Sequence, residues 1–446
     1  MELQGKTVLI VGLKRTGVSV ARFVARQGGR VRVVDRLSAE ALALEFASLA
    51  DIPLDAHLGG EESEALEGVD LVVPSPGVPV DAPILFAAGR RGIPIWSEIE
   101  LAFRFLRCPL LAVTGTNGKS TTTMLLGEML IRGGVHTFVG GNLGTPLIDA
   151  LAESYAAAVA EISSFQLEWV EQLHPRIGIF LNLTEDHMDR HRSFAVYGMT
   201  KRALLAQQEP TEWAVVNRDD PEVWPLAHGL PGRIFSFGWQ PVAEGSWIAD
   251  NALHVRRDGR TTTFALDRLR LYGRHNLENV MAATSAALLW GVPIEAIAAT
   301  LAQFSGLPHR LEFVAEKRGV RYFNDSKGTN VGAVVQSLAS FPGAVVLLAG
   351  GVDKGGDYAP LRPLIREKVK GLIVFGQARD LIDAALGGDT QTRVVETLAE
   401  AVTAAAAMAT AGDTVLLSPA CASFDQFDNY AHRGRVFCGC VEGLPS

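Results

Sequence analysis

The sequence predicts an α/β protein of three domains, each built on a largely parallel sheet. Three observations carry that expectation. Short apolar runs alternate with helical stretches from end to end, the rhythm of βαβ units. The rhythm starts afresh three times, each start being a strand that feeds a polar loop and then a helix. The length, 446 residues, suits two to four domains at about 100–200 residues each. The expected divisions are residues 1–97, 98–307 and 308–446.

Lys6–Val11 reads as a buried strand, Gly17–Gln27 as a helix, and Arg30–Val34 and Asp70–Val73 as further strands before the turn-rich Pro74–Pro79. Continuous apolar runs of this kind are expected where helices cover both faces of a parallel sheet. The second start is Leu110–Thr114, which feeds a glycine loop and a helix over Thr122–Ile131. Strands follow at Ala157–Glu161, Ile177–Leu181 and Trp213–Val216. Between Arg233 and Leu271 the apolar segments become short and alternating, which predicts an antiparallel patch. His275–Trp290, rich in small residues, reads as a helix. The third start follows Leu307-Pro308-His309-Arg310, with strands at Val320–Asn324, Ala344–Ala349, Gly371–Phe375 and Thr414–Leu417.

Composition excludes several classes. Hydrophobic residues at 48% and charged residues at 20% argue against a disordered chain. Forty-one basic against forty-nine acidic residues leave a net charge of −8, so a globally basic nucleic-acid binder is not expected, though this balance does not exclude a local basic cleft. The four cysteines, Cys108, Cys421, Cys438 and Cys440, form no CxxC pair, which points to reduced thiols in a cytoplasmic protein. The N-terminus lacks a signal-peptide layout and no apolar stretch is long enough to span a bilayer, so no membrane insertion is expected.

The strongest motif is Gly115-Thr116-Asn117-Gly118-Lys119-Ser120-Thr121, set between a strand and a helix. Glycines let backbone N–H groups point at phosphate oxygens, and the helix N-terminus adds positive potential. Lys119 would reach the β- and γ-phosphates and the Ser120 hydroxyl would ligate Mg²⁺. The first glycine of the common GxxxxGK[ST] spacing falls on Val113 instead. The bland alternative is a Gly/Thr-rich turn that happens to hold a lysine. With this loop the middle third reads as a P-loop ATPase domain, flanked by Rossmann-like N- and C-terminal domains.

The first glycine loop, Gly12 to Gly17, is a weaker signal. A dinucleotide fingerprint needs a middle glycine, and Lys14 stands there, so a nicotinamide-dependent oxidoreductase is the minority reading. Asp35, at the end of the second strand, is either a ribose ligand or a strand-end cap. Glu161 ends a strand beside the phosphate loop and is a candidate Mg²⁺ ligand, because hard cations prefer carboxylate oxygens. His187 and His191 stand four apart, but Met188 follows His187, so the HExxH pattern of a zinc protease fails. Lys201, taken alone, reads as a solvated side chain. Gly273–Asn279 opens a helix with polar residues suited to a base or ribose, and Asn324–Asn330 mixes acceptors, a cation and hydroxyls. Cys421 invites a nucleophile reading, but no histidine is placed as its base.

Taken together, these stretches resemble the Mur ligases of peptidoglycan synthesis. TGTNGKST, GNLGTP, EISSFQLE, NLTEDHMDRH, GRHNLEN with LPHR, and NDSKGTN with LSPACASFDQF match in order across the chain. The last block and the short first domain favour the branch that adds D-glutamate to UDP-N-acetylmuramoyl-L-alanine over its siblings and over folylpolyglutamate-synthase-like ligases. The resemblance implies an ATP-dependent amide ligase that passes through an acyl phosphate and a tetrahedral intermediate and uses Mg²⁺, with two ions expected. It implies that Gly115–Thr121, Asn279, Arg310 and Asp325 bind ATP. Arg15, Thr16, Asp35, Arg36, Ser75, Gly77, Asn142, Ser163 and His187 would hold the UDP-linked substrate. Lys327, Thr329, Lys354, Ser423, Phe424 and Tyr430 would surround D-glutamate, with Tyr430 standing where the family commonly has Phe. Lys119, Glu161, His187 and Lys201 would serve catalysis, and Ser120, Glu161, His187 and a carbamylated Lys201 the metal. A monomer is expected.

Overall fold

The computed structural model describes residues 2–60 and 63–445. Two compact units emerge, residues 1–267 with 279–301, and residues 268–278 with 302–446.

The first unit carries two sheets. Strands β1 (Thr7–Val11), β2 (Arg30–Asp35), β3 (Leu54–Leu58) and β4 (Leu71–Pro74) form an all-parallel sheet in the order β3-β2-β1-β4. The second sheet holds β5 (Leu110–Thr114), β6 (Thr137–Gly141), β7 (Ala157–Glu161), β8 (Ile177–Phe180), β9 (Trp213–Asn217), β10 (Arg233–Gly238), β11 (Gly245–Ala249), β12 (Ala252–Arg257) and β13 (Arg260–Ala265). Its order is β13-β12-β11-β10-β9-β8-β5-β7-β6. One hydrophobic core links the two sheets, taking in Ile10 and Val33 from the first and Ala112, Ala160 and Phe180 from the second.

The antiparallel patch is smaller than expected. Only β11, β12 and β13 pair antiparallel, whereas β10 runs parallel to both β9 and β11. Parallel neighbours usually need a long crossover. Here β10 and β11 share only three register pairs, Ser236 with Gly245 to Gly238 with Trp247, so the short connection suffices to run back.

The second unit holds β14 (Glu312–Lys317), β15 (Val320–Asn324), β16 (Val345–Gly350), β17 (Val369–Phe375), β18 (Gln391–Val394) and β19 (Thr414–Leu417), in the order β14-β15-β19-β16-β17-β18. Only β14 is antiparallel. Separate apolar clusters pack on its two faces, one around Phe323, Leu347 and Val374, the other around Val346, Ile373 and Val415. Each sheet thus aims the carboxyl ends of its parallel strands at loops, the place where open α/β sheets bind ligands.

Candidate active site

The loop after β5 is shaped by its glycines and its neighbours. Gly118 has φ +85° just before the helix Lys119–Arg132, and a Cβ there would lie 2.1 Å from Asn279 Oδ1, so only glycine fits. The same contact places Asn279, itself buried, against the loop. Asn182 braces it from β8: its Oδ1 accepts from the Asn117 N–H at 2.8 Å and its Nδ2 donates to the Asn117 carbonyl at 3.0 Å.

Five predicted residues converge here. Lys119 folds back so that Nζ donates to the carbonyls of Gly115 (2.9 Å) and Thr116 (2.8 Å). Ser120 Oγ donates to the buried Glu161 carboxylate, whose Oε1 accepts from Asn142 Nδ2 at 2.7 Å. Lys201 donates to the same Gly115 carbonyl at 2.8 Å.

Lys201 corrects the reading of a solvated side chain. It is 1% exposed, on the buried face of the helix Phe194–Ala206, with Nζ 4.7 Å from the centre of the Tyr197 ring. Ser193 caps that helix by accepting from the Val196 N–H. Burial first, and the neighbouring Lys119 second, hold the Lys201 amine well below the ordinary lysine range.

His187 sits at φ +57°, with its ring 4.7 Å from that of Phe165 and Nε2 3.7 Å from the Asp186 carboxylate. His191 does not join it in a metal pair. Its Nε2 lies 3.0 Å from Ser164 Oγ, and burial pushes its imidazole down to about 4. Among the described residues no group of three or more His, Cys, Asp or Glu is placed to hold a metal. The donors present, a carboxylate beside a serine hydroxyl at a phosphate-type loop, do fit a hard cation that takes most of its ligands from phosphate and water.

In the first sheet Asp35 serves its own loop. Oδ2 accepts from the Leu13 N–H at 2.7 Å and Oδ1 from the Leu37 N–H at 2.8 Å. Ser75 Oγ donates to the Gly12 carbonyl at 2.7 Å, so both residues shape the turn before the helix Arg15–Arg26. Thr16 is half-buried, whereas Arg15, Arg36 and Gly77 are exposed around that turn. Ser163, after β7, is half-buried and donates from N and Oγ to Gln166 Oε1.

In the second unit Lys327 lies with Nζ 4.0 Å from the centre of the Tyr430 ring, and Lys354 Nζ donates to Thr329 Oγ1 at 3.3 Å. Ser423 is buried and Phe424 exposed. Asp325 is buried, its Oδ2 accepting from Ser337 and Ser418 at 2.7 Å each. Burial lifts its carboxyl to about 6. Arg310 lies near enough to favour the charged form of Asp325.

Arg433 was invisible to motif reading. It is fully buried on the helix Tyr430–Glu442 and donates to Ser326 Oγ and the carbonyls of Ser326, Gly350, Cys421 and Ala422 at 2.8–3.3 Å. One guanidinium fork thus ties together the loops that carry Lys327, Lys354 and Ser423. Cys421 is no nucleophile. It is buried against the Tyr358 hydroxyl at 3.2 Å, and burial pushes its thiol up to about 11.

The chain matches the Mur ligase MurD-like N-terminal domain over residues 6–97, the Mur ligase middle domain over 113–287 and the Mur ligase glutamate ligase domain over 309–421. The chain belongs to the Mur ligase family. Among its Mur ligase relatives, the UDP-N-acetylmuramoylalanine--D-glutamate ligase of Geobacter metallireducens is 46% identical over 447 residues, covering 100% of this chain and 99% of the relative. The ligase of the same name from Syntrophus aciditrophicus is 43% identical over 445 residues, covering 98% of each. Solved Mur ligases share the fold: MurF from Acinetobacter baumannii has a TM-score of 0.61 at 19% identity, covering 99% of this chain and 91% of that one. UDP-N-acetylmuramate-alanine ligase MurC from Thermotoga maritima has a TM-score of 0.60 at 17% identity, covering 98% and 99%. No helix among the described residues is long and apolar enough to cross a membrane.

Proposed function

We propose that this Mur ligase joins D-glutamate to UDP-N-acetylmuramoyl-L-alanine with cleavage of ATP to ADP and phosphate, in peptidoglycan precursor synthesis. The observation that carries the reading is the convergence of Lys119, Ser120, Glu161, Asn142 and Lys201 at one phosphate loop. Full-length identity of 43–46% to ligases named for this reaction supports it.

A carboxylate oxygen of the acceptor attacks the γ-phosphorus and ADP leaves. The D-glutamate amine then attacks the acyl carbon, and phosphate leaves from the tetrahedral intermediate. Such a transfer depends on placed charge more than on a protein nucleophile. Lys119, now resting on two carbonyls, supplies a cation that can turn to the transferred oxygens. Gly115–Thr121 cradle the phosphates, and Asn279, Arg310 and Asp325 are assigned to the nucleoside. Ser120, Glu161, His187 and the carbamate of Lys201 are assigned to two Mg²⁺ ions, which when bound neutralise phosphate charge. Carbamylation suits Lys201 because only a neutral amine adds to CO₂, and its burial favours the neutral form.

Arg15, Thr16, Asp35, Arg36, Ser75, Gly77, Asn142, Ser163 and His187 are assigned to the UDP-linked acceptor. For Asp35 and Ser75 the assignment includes shaping the turn that receives it. Lys327, Thr329, Lys354, Ser423, Phe424 and Tyr430 are assigned to D-glutamate. The corresponding domains are residues 1–97, 98–307 and 308–446, in a cytoplasmic monomer. A non-catalytic P-loop switch is the reading to exclude. Glu161→Ala is expected to lower turnover by about a hundredfold or more while ATP binding, followed with a fluorescent analogue, persists. Unchanged turnover would remove Glu161 from the reaction.

A further inference from the structure

The helix Glu98–Phe105 bridges the two sheets of the first unit and buries two glutamates, at 1% and 0% exposure. Glutamate is rarely buried without partners. Glu100 has a full set. Its carboxylate accepts from the backbone N–H groups of Glu171, Gln172 and Leu173 at 3.0–3.2 Å and from Arg104 at 2.7 Å. Glu98 does not. Oε1 accepts from the Ile148 N–H at 2.6 Å, and Oε2 has no hydrogen-bond partner among the described residues. A purely structural anchor would not need a carboxylate in that place, because the second oxygen loses its hydration without compensation.

What Glu98 grips is informative. Ile148 lies in the 3₁₀ turn Leu147–Ala152, at the far end of the loop that begins with Asn142. Asn142 is fixed at the near end by Glu161, through N–H to carbonyl at 2.8 Å and Nδ2 to Oε1 at 2.7 Å. The same turn is tied to the first sheet, since Ser19 Oγ on the helix Arg15–Arg26 bonds Asp149 Oδ2 at 3.0 Å. On its other side Glu98 meets Gln166; burial pushes the Glu98 carboxyl up to about 7, and the Gln166 amide pulls the other way, toward the charged form. Gln166 Oε1 in turn holds both N–H and Oγ of Ser163. Glu98 therefore stands behind two loops at once, those of Asn142 and Ser163.

We infer that Glu98 is a positioning residue for the UDP-linked acceptor, setting the Asn142 loop directly and the Ser163 turn through Gln166. The inference rests on the proposed function, which assigns Asn142 and Ser163 to that acceptor. It predicts a defect confined to one substrate. In a coupled ADP-release assay Glu98→Ala is expected to raise KM for UDP-N-acetylmuramoyl-L-alanine by about tenfold or more, with KM for ATP within about twofold of wild type. Glu98→Gln keeps the Oε1 acceptor and is expected to return KM to within about threefold. Melting curves recorded alongside report the folded fraction. A residue that only supports the fold would lower kcat with that fraction and leave both KM values alone, which would overturn the inference. If Glu98→Ala does not fold, Gln166→Leu carries the test: a raised acceptor KM supports the relay and an unchanged one refutes it. Wild type is assayed first. No wild-type turnover would remove the proposed function, whereas wild-type turnover with unchanged KM in the variants removes only the role of Glu98.

Discussion

Lys119→Ala is expected to reduce kcat/KM for ADP release by on the order of a thousandfold, the scale of losing a preorganised charge at a phosphoryl-transfer centre. The protein should remain folded. Lys119 bonds to carbonyls of its own loop, Gly115 and Thr116, and its loss places no new charge in the interior. The variant also separates an ATP-driven ligase from an oxidoreductase with a spare nucleotide site, because only the former depends on this cation. Wild-type rates in Lys119→Ala, measured by steady-state kinetics over a range of ATP, would exclude the loop from the chemistry.

The second large effect is expected at Lys201. A buried ammonium beside Lys119 would repel a metal ion, whereas a carbamate would attract one. Lys201→Ala is therefore expected to lose about a hundredfold or more of turnover, with part returned by acetate or propionate that replaces the missing carboxylate. The pH dependence has a definite sign. Burial lowers the pKa of the amine, so the free base needed for carbamylation is more available than in an exposed lysine and is removed as pH falls. Activity should decline on the acid side in CO₂-depleted buffer and recover with added bicarbonate. Full activity of the alanine variant would show that Lys201 is not needed in any form.

Much of this architecture was legible in the sequence because parallel strands buried on both faces leave unbroken apolar runs. Leu110–Thr114 and Ala157–Glu161 coincide with observed strands, and Glu161 lies at the strand end where it was expected. Strand direction was less legible. The stretch from Arg233 read as antiparallel throughout, yet β10 is parallel to its neighbours, and direction there is decided by a short connection that leaves no mark in the apolar pattern. The strand Thr137–Gly141 ends in two glycines, and β14 (Glu312–Lys317) is half polar, so neither carries a strong strand signal.

The site divides in the same way. Residues inside compact motifs, Lys119, Ser120 and Glu161, were visible because their chemistry is local to a strand end. Lys201 was not visible from its residue type, because burial depends on which face of its helix meets the phosphate loop. Arg433 and Glu98 lay beyond motif reading for another reason. Each gathers backbone groups from distant segments, and that role exists only after folding.

The central claim is that ATP cleavage by this chain is coupled to capture of D-glutamate. The most direct test measures ADP release with UDP-N-acetylmuramoyl-L-alanine and, in turn, D-glutamate, L-glutamate, L-alanine, L-lysine and meso-diaminopimelate. Turnover is expected with D-glutamate and little with the others, with the amide product formed in step with ADP. Absence of turnover with D-glutamate while another amino acid is accepted would contradict it.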